Sequence, residues 1–251
     1  MSAAMEFIQA GISRATTGRC LICDEGVSPV GMPGMVQLGI GMWACTCDAG
    51  RALRDGQVKR QAQAAAKTLL AGAEIPHKYE GYTFEGFRER TRKMVEKIGA
   101  AREAELWAIG QTERPWLFLW GKTGRGKTGL GVCALKTLMQ THQVEGRFIS
   151  TFDMFDELKK RFGGETEAYV DALARVPVLL VDELVTPFNS AWRTQVLFEL
   201  IWRRDASQLP TIWTCADETK IVESITEAGW RRVRDNSVRV ELGGKEIDWG
   251  R

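Results

Sequence analysis

The sequence predicts an α/β protein with a mostly parallel sheet covered by helices on both faces. From about residue 75 onward, short apolar runs alternate with helical stretches. One apolar run leads into a glycine-rich loop that precedes a helix, and another ends in two adjacent acidic residues. Parallel strands are joined by connections that cross a face of the sheet, so short buried strands separated by helices are typical of this class.

The predicted elements follow one another in the order that this architecture needs. The expected strands are PWLFLW, GRFIST, VPVLLVDE, PTIWTCA and SVRVEL. The expected helices are a long amphipathic helix over about 88–109, one over about 127–140, the segments DMFDELKKRF and AWRTQVLFELIWRRDA, and a short one near 227–235.

Length and composition suit a soluble protein. The 251 residues leave room for one α/β domain and a smaller module, and 44% of them are hydrophobic. The longest apolar runs, WLFLW and VPVLLV, fall far short of the roughly 20 residues that cross a bilayer. We therefore predict a cytoplasmic protein without a membrane partner. The net charge of +2 neither indicates nor excludes nucleic acid.

The segment GKTGRGKT, residues 121–128, satisfies the phosphate-binding pattern G-x-x-x-x-G-K-[ST]. Glycines let the backbone N–H groups wrap phosphates at the positive end of the following helix. Lys127 is predicted to reach the β and γ phosphates of ATP, and the Thr128 hydroxyl to bind Mg²⁺. The candidate ATP contacts are Gly121, Lys122, Thr123, Gly124, Arg125, Gly126, Lys127 and Thr128.

Two other interpretations of this loop are a chance glycine-rich turn and a dinucleotide site. Gly124, Gly126 and Gly129 also spell G-x-G-x-x-G. That fingerprint wants an acidic residue after the second strand, where this chain has Ser150 and Thr151. ATP is therefore favoured over NAD.

An acidic pair, Asp182 and Glu183, ends the buried strand VLLVDE. An apolar strand ending in an acid is common, but behind a phosphate-binding loop it is the expected partner. Asp182 is predicted to hold Mg²⁺ through water, and Glu183 to orient and deprotonate the attacking water. The pair indicates an ATP hydrolase rather than a small-molecule kinase.

Six segments between residues 75 and 248 resemble, in order, the AAA+ ATPases of the DnaC/DnaI helicase-loader group. They are IPHKYEGYTFEGF, LFLWGKTGRGKTGL, FISTFDMFDELKKRF, VLLVDE, LPTIWTCAD and WRRVRDNSVRVELGGKEID. The IstB transposition-helper ATPases are close relatives of that group. The resemblance implies a five-stranded parallel P-loop core that oligomerises with ATP at its subunit boundaries. It also implies single-stranded DNA and a replicative hexameric helicase as partners in DNA replication.

The resemblance also implies roles for residues near the end of the chain. Ala216 stands where the family has an asparagine that senses the γ phosphate, so either Thr214 substitutes as the sensor or sensing is weakened, and fast hydrolysis is not expected. Arg232 aligns with the arginine finger that a neighbouring subunit supplies, and Arg231 and Arg234 are alternatives. The chain ends soon after the last strand, which predicts a core without a C-terminal helical lid.

The predicted DNA contacts lie between residues 153 and 175, where Lys159, Lys160 and Arg161 stand beside Phe162. Basic groups meet phosphates and an aromatic ring stacks on a base. A solvated helix face is the alternative, and Arg203 and Arg204 are equally ambiguous. Trp192 and Trp202 are predicted to be core residues, as are Cys133 and Cys215.

Four cysteines near the N-terminus form two close pairs, C-x-x-C at Cys20 and Cys23 and C-x-C at Cys45 and Cys47. Four thiolates in two pairs suit tetrahedral Zn²⁺, which contributes folding energy to a segment too small for its own core. A redox pair and ordinary buried cysteines are the alternatives.

The predicted organisation is a zinc-binding module over 1–50, a helical linker over 51–74 and an AAA+ ATPase domain over 75–251. The leading functional hypothesis is an ATP-dependent helicase loader. The alternatives are a transposition helper on duplex DNA and a nucleotide-gated binding module that hydrolyses little ATP.

Overall fold

A computed structural model describes residues 35–39, 42–45, 60, 64–161, 164–184 and 190–245. Only the backbone is described for residues 35–39, 42–45, 95 and 164. The chain divides into two compact units, residues 1–65 and residues 66–251. In the first unit, strands β1 (Met35–Gly39) and β2 (Met42–Cys45) form an antiparallel pair.

The second unit is built on a five-stranded sheet in which every pairing is parallel. Its strands are β3 (Trp116–Trp120), β4 (Gly146–Ser150), β5 (Val178–Asp182), β6 (Thr211–Cys215) and β7 (Ser237–Glu241), in the spatial order β4-β5-β6-β3-β7. This confirms the predicted parallel sheet. Because the strands are parallel, their carboxyl ends share one edge, where ligands of such sheets bind.

The helices of the second unit follow the strands closely. They are α1 (Phe84–Arg90), α2 (Val95–Ala108), α3 (Lys127–His142), α4 (Thr151–Lys159), α5 (Gly164–Arg175), α6 (Ala191–Ser207) and α7 (Ile221–Asn236), with 3₁₀ turns at His77–Tyr79 and Glu218–Lys220. Residue 60 and residues 64–72, within the predicted linker, are also helical. Within the described residues, no helix is long and apolar enough to cross a membrane.

Two helix predictions were wrong in extent, and one helix was missed. The expected helix 88–109 is two helices, because Thr83 caps α1 through the Gly86 N–H and Thr91 ends it by bonding the Phe87 carbonyl. Helix α5 was not predicted. Helix α7 begins at Ile221 instead of 227 and is interrupted at Thr226, whose hydroxyl accepts from the Gly229 N–H and caps the second half.

The two faces of the sheet bury separate cores. Along β3, Leu117 and Leu119 face a cluster formed with α1, α2 and α3. Trp116 and Phe118 point the other way, into a cluster formed with α4, α5, α6 and α7. Alternate residues of a strand face opposite sides, so a strand covered on both faces is apolar throughout. The predicted helices on both faces are thereby confirmed.

The tryptophans of α6 were predicted to lie in the core, and this is wrong. Trp192 is 41% exposed and Trp202 is 52% exposed. Trp202 lies about 200° around the helix axis from the buried Leu200. Trp192 stands in the first turn of α6, and its ring packs 5.7 Å from that of Phe155. The predicted core cysteines, Cys133 and Cys215, are buried, and burial raises the pKa of each to about 12.

Arg203 and Arg204 are neighbours in sequence with different environments. The exposed side of α6 places Arg203 among three carboxylates, those of Glu167, Asp171 and Glu199. Arg204 is fully buried and donates from Nε to Thr211 Oγ1 at 2.7 Å. Its terminal nitrogens donate to the carbonyls of Leu173, Ala174, Val176 and Pro210. Arg204 therefore closes the end of α5, and both interpretations left open for it, a DNA contact and a solvated helix face, were wrong.

Candidate nucleotide-binding site

The loop between β3 and α3 has a backbone that favours glycine. Gly121, Gly124 and Gly126 have φ values of 134°, 78° and 92°, a region that other L residues rarely adopt. A Cβ on Gly121 would also lie 2.7 Å from the carbonyl oxygen of Leu242. Gly126 directly precedes α3, so the unpaired N–H groups of the first helical turn lie at the sheet edge. This arrangement suits an anionic ligand.

Lys127, the first residue of α3, is a buried cation at this loop. Its side chain is 4% exposed, and Nζ donates to the Lys122 carbonyl at 3.2 Å. Burial lowers the pKa of Lys127, while the nearby carboxylates of Glu183 and Asp182 raise it. An ammonium has three donors, so this lysine has the capacity to bind phosphate oxygens as well.

The structure brings Thr128 and Asp182, the two predicted Mg²⁺ ligands, into direct contact. Thr128 Oγ1 donates to Asp182 Oδ1 at 2.9 Å. The Thr214 hydroxyl donates to the same oxygen at 2.6 Å. Burial raises the pKa of Asp182, whereas the hydrogen bonds from Thr214 and Thr128 and the charge of Lys127 lower it. Carboxylate and hydroxyl oxygens are hard donors, so this pair fits Mg²⁺.

Glu183, the predicted general base, follows β5 with a positive φ of 58°. Its N–H donates to Thr214 Oγ1 at 2.9 Å, and its carbonyl accepts from Thr151 Oγ1 at 2.6 Å. Burial raises the pKa of the Glu183 carboxyl, Lys127 lowers it, and Asp182 raises it. Sequence patterns did not indicate the roles of these two threonines, although both lie at the ends of strands that flank β5.

Ala216, at the predicted sensor position, follows β6 and lines a cavity of about 990 Å³ beside the loop. Lys122, Arg125, Asp217 and Trp230 line the same cavity. The methyl group of Ala216 offers no hydrogen bond. Thr214, the predicted substitute, is fully buried, and its hydroxyl bonds Asp182 and Glu183.

A second buried lysine near the loop was missed by the sequence analysis. Lys97, on α2, is fully buried, and its Nζ donates to the Arg125 carbonyl at 2.9 Å. Burial lowers its pKa, and so do the charges of Arg125 and Lys127, while Glu96 raises it. The sequence feature that could have identified Lys97 is that it is a lone lysine among the alanines on one face of the helix.

The candidate arginine finger is held within its own subunit by α6. Arg232 Nε lies 3.2 Å from Asp205 Oδ2, and Nη1 donates to the Ala228 carbonyl. Arg231 is exposed, and Arg234 donates to Asp235. A role for any of the three toward a neighbouring subunit stays a prediction.

The predicted DNA segment carries compensating acids. Lys160 pairs with Asp156 and Glu157, and Arg161 pairs with Glu157 and stacks on the ring of Tyr169. Lys159 is exposed, and Phe162 lies outside the described residues. An exposed aromatic side chain that the sequence did not single out is Phe152, which is 71% exposed in the first turn of α4.

Three of the predicted zinc ligands, Cys20, Cys23 and Cys47, lie outside the described residues, and only the backbone of Cys45, at the end of β2, is described. Elsewhere in the described part of the chain, no group of three or more His, Cys, Asp or Glu side chains is placed to hold a metal. The zinc site stays a prediction.

Three solved structures are similar to the second unit of this chain. The DnaC helicase loader matches with a TM-score of 0.59 and 19% identity, over 67% of this chain and all of that one. DnaI matches at 0.56 and 22%, over 69% and 94%. A primosome component from Streptococcus pyogenes serotype M3 matches at 0.55 and 20%, over 70% and 93%. The second unit therefore shares the fold of these proteins.

At the sequence level, no curated protein matches the chain. The family model of the IstB-like ATP binding proteins matches residues 51–216. This span includes the glycine-rich loop, the acidic pair and the first four strands of the sheet. The predicted kinship with both the DnaC/DnaI fold and the IstB family is confirmed, and the chain belongs to the IstB-like ATP binding protein family.

Proposed function

We propose that this protein is an ATPase that acts at the edge of the sheet where the glycine-rich loop, Asp182 and Glu183 meet. The observation that carries the proposal is the hydrogen bond between Thr128 and Asp182, because it joins helix α3, which follows the glycine-rich loop, to the end of strand β5. Lys127 is buried at the same place, which supports an anionic ligand.

Each residue has a distinct part in the proposed reaction. The backbone of residues 121–128 and the Lys127 ammonium hold the phosphates. Thr128 would hold Mg²⁺ directly and Asp182 would hold it through water, and the ion would supply positive charge for the transferred phosphoryl group. Glu183 orients the attacking water and accepts its proton, and its raised pKa brings a carboxyl group closer to the strength that proton transfer at neutral pH needs.

Slow hydrolysis by the isolated subunit is part of this proposal. Ala216 provides no polar contact for the γ phosphate, and Arg232 is engaged with Asp205 of its own subunit. Completion of the site by an arginine of a second copy would therefore couple turnover to self-assembly through the ATP interface. The alternative of a nucleotide-gated module with little hydrolysis is favoured by the same alanine.

The biological role that we propose is a loader of the replicative helicase in DNA replication. The fold shared with the DnaC helicase loader and DnaI supports it. The family match to IstB-like proteins keeps a transposition helper on duplex DNA as the second candidate.

Single-stranded DNA is the proposed nucleic-acid partner, with α4 as the contact. Phe152 and Lys159 are seven residues apart, so they lie on one face of this helix, and both are exposed. An exposed aromatic ring offers a stacking platform for a base, and a lysine on the same face meets the phosphate backbone.

The N-terminal module is proposed to bind Zn²⁺ through Cys20, Cys23, Cys45 and Cys47 and to contact the helicase. The spacing of the two cysteine pairs supports the metal, and the hairpin of β1 and β2 ends at one of the four residues. Elemental analysis of the purified protein is expected to give about one zinc per chain, and Cys45→Ser is expected to lower that content.

The experiment that tests the role is capture of a purified hexameric replicative helicase by the immobilised protein, with Mg²⁺, zinc and ATP. We expect the wild type to retain the helicase and Lys127→Ala to retain less of it. A protein that ignores the helicase but forms ATP-dependent filaments on duplex DNA, seen by electron microscopy, would be a transposition helper instead.

A further inference from the structure

We propose that Thr151 and Thr214 are positioning residues that clamp the backbone of Glu183 so that its carboxylate is held for catalysis. The proposal rests on the proposed ATPase function. It starts from the sheet order: β5, which ends just before Glu183, lies between β4 and β6. Thr151 directly follows β4, and Thr214 belongs to β6, so the clamp reaches Glu183 from both neighbouring strands.

The clamp occupies both polar groups of the Glu183 backbone. The N–H donates to Thr214 Oγ1 at 2.9 Å, and the carbonyl accepts from Thr151 Oγ1 at 2.6 Å. On the far side, the Leu184 N–H donates to the Thr214 carbonyl at 2.8 Å. Three hydrogen bonds thus fix the peptide units before and after Glu183.

The conformation that the clamp holds is unfavourable for glutamate. Glu183 has a φ of 58°, in the left-handed region where the Cβ of an L residue crowds the backbone. Such a conformation persists only where the surrounding structure fixes it. Without the threonine hydroxyls, the backbone at Glu183 would relax toward a negative φ. That change would turn the carboxylate away from the orientation that catalysis needs.

The Thr214 hydroxyl also links the two acidic residues. It accepts from the Glu183 N–H and donates to Asp182 Oδ1 at 2.6 Å, which uses its donor and one of its acceptor sites. Both threonines are buried, with Thr151 1% exposed and Thr214 fully buried. A single hydroxyl therefore sets the proposed metal ligand and the proposed base relative to each other.

The test compares Thr151→Val and Thr214→Val, which keep the side-chain shape, with Thr151→Ser and Thr214→Ser, which keep the hydroxyl. We expect each valine variant to lower kcat for ATP hydrolysis roughly tenfold to a hundredfold, because a small misplacement of a reacting group has an effect of that size. The KM for ATP should change little for Thr151→Val, because the hydroxyl of Thr151 bonds Glu183. Thr214→Val also removes a hydrogen bond from Asp182, so we expect its KM to rise as well. The serine variants should retain most of the wild-type kcat.

Thr211→Val is the matched control. Thr211 is also a buried threonine of β6, but it lies at the opposite end of the strand, bonded to Arg204. Its kcat per folded molecule should equal that of the wild type. The folded fraction of every variant is measured by circular dichroism, and the serine variants keep the test decisive if a valine variant fails to fold.

A double mutant separates positioning from general damage. In the Glu183→Gln background, adding Thr151→Val should cause no further loss of kcat, because the group that the clamp positions has already been removed. A further tenfold loss, or valine variants with wild-type kcat, would overturn the clamp. A different result would show that the proposed ATPase function itself is wrong. In that case Glu183→Gln alone would leave phosphate release unchanged.

Discussion

Buried polar side chains lie at both ends of strands β5 and β6, and the two ends differ in how the hydrogen-bonding capacity of these side chains is used. At the amino end, the Arg204 guanidinium donates to one hydroxyl and four carbonyls of the protein itself. At the carboxyl end, the described contact of the Lys127 ammonium is with one carbonyl, and Asp182 accepts from two hydroxyls. The amino end is a closed structural network, and the carboxyl end retains capacity for a ligand.

Both ends remove a cation from water, so burial alone does not distinguish them. Burial lowers the pKa of Arg204 to about 9 and also lowers that of Lys127. The two cations differ in their hydrogen-bond partners. A buried polar group without partners destabilises the fold unless a ligand supplies the missing hydrogen bonds. A buried cation that has unused hydrogen-bond donors and lies near buried carboxylates therefore indicates a functional site better than burial alone does.

Removal of the lysine at the carboxyl end should produce the largest effect on activity. We expect Lys127→Ala to lower the rate of ATP hydrolysis by roughly 100- to 1000-fold, the usual effect of losing one preorganised donor. The measurement is steady-state phosphate release with Mg²⁺. Stability without nucleotide should change little, and a rate within tenfold of the wild type would remove Lys127 from the site.

At the amino end, the corresponding change should affect stability. Arg204→Leu is expected to lower the free energy of unfolding by about 3 kcal/mol, because several buried carbonyls lose their donor. Arg203→Leu, next to it, removes partly exposed ion pairs and should lower it by less than about 1 kcal/mol. Urea unfolding compares them, and equal losses would contradict a network specific to Arg204.

A smaller effect, on ATP affinity, is expected for Lys97, the second buried lysine near the loop. Lys97→Met should weaken ATP binding about tenfold, because the Arg125 carbonyl loses a charged donor, a bond worth roughly 1.5–3 kcal/mol. Lys93→Met is the control, since Lys93 is exposed in the turn before α2. Isothermal titration gives both affinities, and equal affinities for the two variants would rule out a role for Lys97 in holding the loop.

The smallest effect concerns exposed aromatic rings. Phe152→Ala, near the carboxyl edge, should weaken binding of single-stranded DNA about fivefold, which is the low end for loss of one stacked base. Trp202→Ala removes an exposed ring of α6, next in sequence to Arg203, and should leave that affinity unchanged. Fluorescence anisotropy with a labelled oligonucleotide measures both, and a larger loss for Trp202→Ala would place the DNA elsewhere.

Sequence patterns predicted the parts of the site that are contiguous in the chain. The loop 121–128 and the pair Asp182–Glu183 were predicted from spacing, and the structure brings them together. The contacts of Glu183 with Thr151 and Thr214 depend on which strands lie beside β5, and the order of strands in a sheet is not written in any local pattern.

Burial was the weaker part of the sequence analysis. The apolar members of α6 were assigned to the core together, but the helix is covered on one side only, so Trp202 stays exposed. Arg204 was missed as a core residue because its burial depends on carbonyls supplied by α5, a helix that was not predicted. A charged residue is buried when distant segments satisfy it, and a sequence pattern shows only its charge.

The measurement that tests the central claim most directly is phosphate release by the wild type and by Glu183→Gln, with ATP affinity determined for both. We predict nearly equal affinities, because the loop 121–128 and the Thr128–Asp182 pair are intact in the variant. We also predict a hydrolysis rate at least about 100-fold lower, since the general base is lost. Equal rates of phosphate release would contradict the account, because Glu183 could then not be the base that this end of the sheet holds in place.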